Sequence, residues 1–203
     1  MERAQPNCEL SKVEFPSSTV VLDMAVSEYV GYTLKLMAVA IILSNYKSWP
    51  LVYHIRSYFA YRKGVNRLRE KRKDLFHISV QHHRLWPDDM DIYFHMSNSS
   101  YNKVLDYARY SHVTGQWGAP LIKKELFIYN AGIQTLFKKE IPPFAKFLVE
   151  TRLLTWNEKW VFLVSRFVLE KTKVTACICT AKLVFKRSNG KTVKPEDLFE
   201  LCG

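Results

Sequence analysis

Four segments rich in Val, Ile, Phe, Thr and Tyr follow one another over residues 126–137, 144–156, 160–169 and 174–186, and each reads as a β-strand. Asn157-Glu158 and Glu170-Lys171-Thr172-Lys173 read as hairpin connections, and Ser188-Asn189-Gly190 as a turn. Pro142-Pro143 separates the first two strands and bars a central ladder position there. Ahead of this run the pattern predicts one further strand, from residue 75, in which Phe76, Ile78 and Val80 alternate with polar neighbours. Between that strand and the four lies one helix. Tyr101, Val104, Leu105 and Ala108 recur at helical spacing, which leaves Asn102, Lys103, Asp106 and Arg109 mostly on the other side. Gly115, Gly118 and Pro120 are expected to break the chain after it. One strand, one buried helix and four strands make an α+β domain over residues 74–190. In the tail, residues 191–203, Pro195 opens a short helix with proline in its first turn.

The polar stretch between the first strand and the helix carries the chemistry. Asp88-Asp89-Met90-Asp91-Ile92-Tyr93-Phe94-His95-Met96-Ser97-Asn98-Ser99-Ser100-Tyr101 gathers three carboxylates and a histidine, then runs into small polar residues. Pro87 stops what precedes it, because proline disfavours helix at the residue before it. The run from Ser97 to Ser100 offers helix N-cap side chains. A helix start is electropositive and rich in unpaired N–H donors, so it suits a carbonyl oxygen becoming an oxyanion. A carboxylate just upstream suits a base or a nucleophile.

The pattern Asp89-x-Asp91-x-x-x-His95-x-x-Asn98-x-x-Tyr101, followed by Asp106-Tyr107-Ala108-Arg109, resembles the signature of hotdog-fold acyl thioesterases of the 4-hydroxybenzoyl-CoA and acyl-carrier-protein type. The turn Trp156-Asn157-Glu158-Lys159-Trp160 is similar to the subgroup called thioesterase superfamily member six. The resemblance spans roughly residues 75–187. It implies a hotdog fold, an antiparallel sheet wrapped around one long helix, and a homodimer with acyl-CoA sites at its interface. It places Asp91 where the family carries its catalytic aspartate, and matches His95 and Asn98 to the family's His and second Asn. Asp91 is thus the candidate base or nucleophile at a thioester carbonyl, and His95, Asn98 and Ser99 are candidate substrate contacts. Asp89 is expected to organise the turn, and Asn98 either orients a catalytic group or caps the helix. Two positions depart from the family pattern: Ser97 replaces the first Asn, and Tyr93 stands where acyl-carrier-protein thioesterases have a catalytic asparagine. A protein that binds acyl groups without turnover, or a dimeric scaffold, is the alternative to the enzyme.

The first 73 residues have another character. Residues 1–19 are polar, contain Pro6 and Pro16, and read as a loose arm. Residues 20–43 are apolar, although Asp23, Glu28 and Lys35 interrupt them, which argues against a clean membrane span. They read as an interfacial or re-entrant membrane helix, or else as a buried helix of a soluble protein. Tyr46, Trp49, Tyr53, Tyr58, Phe59 and Tyr61 then stand among Lys47, Arg56 and Arg62, a mixture suited to lipid headgroups. Of the net charge of +11, nine cations fall between Lys47 and Lys73, where Glu70 is the sole acid. Such a run suits an anionic cytosolic leaflet and, if the membrane reading holds, is expected to place the folded domain in the cytosol; a solvated basic helix is the plainer reading. No nucleic-acid partner is expected, since no RNA- or DNA-binding module surrounds the run.

Composition excludes other chemistries. With 48% hydrophobic residues a sizeable core is available. Cys8, Cys177, Cys179 and Cys202 have no zinc-binding spacing and suit a reducing compartment, with Cys177 and Cys179 on one strand face as buried thiols. His82-His83 lacks a partner at metal spacing, no G-x-S-x-G elbow is present, and no phosphate-binding glycine loop appears. Neither metal nor cofactor is implied. The N-terminus is not that of a secretory signal peptide, and the chain carries neither a myristoylation start nor a prenylation box.

Overall fold

Helix α1 spans Ser18–Ser44. In a computed structural model, which describes residues 18–68, 74–123 and 125–202, the chain divides into two units after Leu43. Apart from Ser18 and Thr19, the N-terminal arm lies outside the described residues, as do Arg69, Lys71, Arg72 and Lys73. Within α1, Val26–Ser44 is 19 residues with mean hydropathy 1.5, long and apolar enough to cross a membrane. Its apolar side chains are spread around the helix rather than gathered in a stripe: Leu22, Val26, Tyr29, Leu34, Leu36, Met37 and Ile41 are all exposed. Asp23 precedes this stretch, and Glu28 and Lys35 stand seven residues apart, on one stripe of the helix.

The second unit begins with a 3₁₀ turn over Tyr46–Ser48 and helix α2, Val52–Leu68. Strand β1 covers Ser79–Arg84, a second 3₁₀ turn covers Pro87–Asp89, and α3 runs Asn98–Ile122. Strands β2 (Leu126–Phe137), β3 (Lys146–Trp156), β4 (Val161–Leu169), β5 (Thr175–Arg187) and β6 (Thr192–Val193) follow, and α4 spans Pro195–Cys202. Every pairing is antiparallel, in the order β1-β3-β4-β5-β2 with β6 on β5. Helix α3 lies on one face of this sheet. Alternate residues of the strands, Phe147, Val149 and Leu153 on β3 and Leu163 and Phe167 on β4, are buried with Tyr101, Leu105 and Trp117 of α3. Tyr101 meets Phe167 edge-on at 4.9 Å, and Trp117 meets Phe185 at 5.9 Å. Cys177 and Cys179 are buried in the same core with their sulfurs 3.5 Å apart.

Three sequence expectations need correction. Helix α3 does not end at Gly115 but continues to Ile122, with a kink at Trp117 (φ −125°, ψ 25°). The glycines and Pro120 bend the helix without stopping it, and the bend buries the Trp117 indole against Phe185 and Phe199. Strand β1 starts at Ser79, later than the alternation of Phe76, Ile78 and Val80 suggested, and presents polar residues inward. Ser79 and Gln81 are the buried ones because α3 supplies their partners: Ser79 Oγ lies 2.9 Å from His112 Nδ1, and Gln81 Nε2 donates to the Tyr107 carbonyl at 3.2 Å. Phe76 and Ile78 remain nearly half exposed.

Helix α2 packs along α3, and its Arg67 donates to the Val80 carbonyl of β1 at 3.3 Å. The two helices approach so closely that a Cβ at Gly64 would meet Thr114 Cβ at 2.7 Å and the Ser111 carbonyl at 2.8 Å. Tyr53 donates to Asp106 at 3.1 Å, and the Arg56 guanidinium lies 4.7 Å from the centre of the Tyr107 ring.

Candidate active site

After β1 the chain turns through Pro87–Asp89 and doubles back in a small closed loop. The Ser97 N–H donates to the Asp89 carbonyl (2.9 Å), Met90 bridges Met96, and the Asp91 N–H donates to the His95 carbonyl (3.0 Å). Phe94 at the tip adopts φ +60°, a left-handed conformation that a bulky residue takes only when its surroundings require it. The Phe94 N–H closes the tip onto the Asp91 carbonyl at 3.1 Å, and the Met96 N–H ties the loop to the Ile141 carbonyl at 3.2 Å.

This loop brings Asp91 and His95 together. Asp91 Oδ1 accepts the Tyr93 N–H at 2.9 Å, and Asp91 Oδ2 stands 3.4 Å from His95 Nδ1. The other ring nitrogen, His95 Nε2, is 3.8 Å from Glu140, and the Tyr93 ring stacks on the imidazole at 5.8 Å. Both side chains are about a third exposed or less, so they are reachable from solvent yet held. Asp89 points the other way. It is buried, and its carboxylate accepts the Trp86 N–H at 3.3 Å, pairs with Lys47 and lies 3.5 Å from Lys103.

Helix α3 starts directly after the loop. Ser97 is its cap, with Oγ accepting the Ser100 N–H at 3.3 Å, so Asn98 is the first helical residue and not the cap. The side chains of Asn98 and Ser99 are exposed. A cavity of about 780 Å³ opens here, with Asp91, His95, Asn98 and Tyr101 on one side. Lys138, Lys139, Leu169 and Thr172 line it from elsewhere, on segments the motif did not reach. The volume falls in the range of small-molecule sites, roughly 300–1,000 Å³. Burial pushes the Tyr101 hydroxyl well above the usual phenol range, so it is a neutral wall of this cavity.

Sequence reasoning missed Lys47, which pairs with Asp89 from 42 residues upstream, and His112, buried on α3. Burial lowers the His112 pKa to about 3, so the ring is neutral and shares a hydrogen bond with Ser79 Oγ at Nδ1. The polar character of Ser79 and Gln81 on a strand was the available signal for an inward-facing polar partner. His83 stacks on Phe147 at 5.6 Å, and His82 Nδ1 lies 2.8 Å from Glu170.

A five-stranded antiparallel path wrapped on a single long helix, with an acidic loop feeding that helix, defines a hotdog domain. Residues 85–199 match the family model of the thioesterase-like superfamily, and the chain belongs to that superfamily. Among its relatives is a Saccharomyces cerevisiae protein called Probable thioesterase YBR096W, 31% identical over 81% of this chain and 77% of the yeast one. Protein THEM6 of Xenopus laevis is 29% identical over 78% of this chain and 76% of its own. Among solved structures, hypothetical protein SAV2348 from Staphylococcus aureus in complex with CoA superposes with TM-score 0.53 at 13% identity, covering 64% of this chain and 84% of that one.

Proposed function

We propose that the protein hydrolyses acyl-CoA or a related acyl thioester, with Asp91 as base or nucleophile. The observation that carries this reading is the pairing of Asp91 with His95 at the mouth of a cavity beside the start of α3. As a base, Asp91 takes a proton from water while the water oxygen adds to the thioester carbonyl. The C–S bond then breaks, and the thiolate leaves with a proton. As a nucleophile, its carboxylate oxygen displaces the thiolate to give an acyl anhydride, which water then cleaves. Free N–H groups in the first turn of α3, at Asn98 and Ser99, receive the oxyanion. His95 orients the attacking water, and Asn98 contacts the acyl thioester. Lys138 and Lys139 supply positive charge for the phosphates of a CoA substrate.

Helix α1 anchors the protein to a membrane, with the hotdog domain in the cytosol. Its apolar exposed surface supports the anchor, and the basic segment after it supports the orientation. A fatty acyl group follows as the preferred cargo. The protein forms a homodimer through β2. That strand ends the sheet, spans 12 residues and leaves Tyr129, Leu136 and Phe137 about half exposed.

The test is turnover by the full chain in detergent micelles against acyl-CoAs of graded length, beside Asp91→Asn. Turnover that peaks at one chain length and vanishes in the variant supports the reading. Hydrolysis unchanged by Asp91→Asn removes Asp91 from the mechanism, and ligand binding without any turnover moves the protein to the acyl-binding class.

A further inference from the structure

Lys47 occupies an expensive position for a cation. It is 8% exposed, in the short turn Tyr46–Ser48, three residues after the end of α1. Its ammonium donates to the Arg84 carbonyl at 3.0 Å and forms an ion pair with Asp89, itself 3% exposed. Beside it, Ser48 Oγ donates to Asp88 at 3.3 Å. Desolvation lowers the Lys47 pKa, and the Asp89 carboxylate opposes that shift. A buried ion pair seldom adds net stability over an apolar pair of the same size, so its use is in fixing one arrangement.

What it fixes can be traced bond by bond. Asp89 Oδ2 holds the Trp86 N–H, and the Asp89 carbonyl holds the Ser97 N–H, so this one residue pins both ends of the loop that carries Asp91 and His95. Asp91 stands two residues further on, with its N–H bonded to the His95 carbonyl at 3.0 Å. Lys103, 3.5 Å from the other Asp89 oxygen, comes from the first turns of α3 and locks the loop to the helix start. Lys47 reaches into this network from the segment leaving α1, beside Ser48 on Asp88 and the Tyr46 ring 5.7 Å from Trp86.

We infer that Lys47 is a positioning residue for the site: its buried pairing with Asp89 sets the Asp91–His95 loop against the start of α3. The inference rests on the reading of Asp91 as the reacting carboxylate. It makes the geometry of the site depend on the docking of residues 46–48, so that the link to α1 and the site form one mechanical unit.

The experiment uses the full chain in detergent micelles with two variants, Lys47→Met and the double variant Lys47→Met/Asp89→Asn. The double variant leaves no unpaired buried carboxylate and keeps the test alive if the single one fails to fold. Two readouts are taken: acyl-CoA turnover, split into kcat and KM, and amide hydrogen exchange. The expected result is a kcat at least tenfold lower with KM within about threefold, and exchange at least tenfold faster at Asp91, Phe94, Met96 and Ser97. Exchange in β4 and β5 stays as in the parent protein. Exchange at those four amides within twofold of the parent in the double variant overturns the inference. So does acceleration spread equally across the sheet, which would make Lys47 a general stabiliser. If the parent protein hydrolyses no thioester, the reading of Asp91 fails on its own and hydrogen exchange alone decides whether Lys47 holds the loop.

Discussion

At the scale of single residues, the site depends on what holds each carboxylate. Asp89 and Asp91 are two positions apart and face opposite ways, one into a buried cation and the other toward an imidazole at a cavity. Their substitutions therefore separate. Asp91→Asn is expected to lower kcat by about 10²–10⁴-fold, the usual contribution of a positioned base, with the melting temperature little changed. Steady-state kinetics beside a thermal melt checks this. His112 provides a pH signature. Its folded pKa of about 3 lies below the ordinary value of about 6.5, so between these limits the unfolded chain binds a proton that the folded chain does not. Stability is full above pH 6.5 and declines as pH falls toward 3, by about 1.4 kcal/mol per pH unit for this one group. In His112→Gln that slope should become shallower by one proton, as read from denaturant unfolding between pH 4 and 7.

Among the elements, the contact of α2 with α3 carries the strictest tolerance. A methyl group at Gly64 would meet Thr114 Cβ at 2.7 Å and a backbone oxygen at 2.8 Å, and backbone does not yield cheaply. Gly64→Ala should cost about 1–3 kcal/mol through overpacking, despite the helix propensity that alanine adds. A matching fall in denaturant midpoint would show it, and an unchanged midpoint would mean that the helices separate easily. The strands and their hairpins were legible because a half-buried strand must alternate, and β2 falls on the residues where the pattern put it, Leu126–Phe137. The inward face of β1 was not legible. A local pattern assigns apolar residues to the core, and only α3 reveals that Ser79 and Gln81 have partners there. The kink at Trp117 escaped for a similar reason: Gly115, Gly118 and Pro120 signal a break, but Phe185 and Phe199 decide that it becomes a bend. Of the candidate site, the residues from Asp91 to Asn98 came from the resemblance to a family signature. Lys47, Lys138 and Thr172 come from distant segments, and no local pattern brings them in.

For the whole molecule, the proposed dimer at the edge of β2 and the proposed anchor at α1 are tested separately. A charge on the edge strand, Tyr129→Asp with Leu136→Asp, should convert a dimer to monomers in light scattering, because a carboxylate cannot be left dry in a joined sheet. Removal of residues before Asn45 should move the protein from the membrane to the soluble fraction; a shortened chain that still pellets with membranes would contradict the anchor. Where that cut is made decides what is left. Because α2 packs closely on α3 around Gly64 and Lys47 reaches Asp89, an expression boundary at residue 75, the start of the sheet by composition, would strip a helix from the folded unit. A boundary just before Asn45 keeps that helix in place. The protein's own architecture thus names the shortest compact form worth purifying, and limited proteolysis of the intact chain should trim toward the same point.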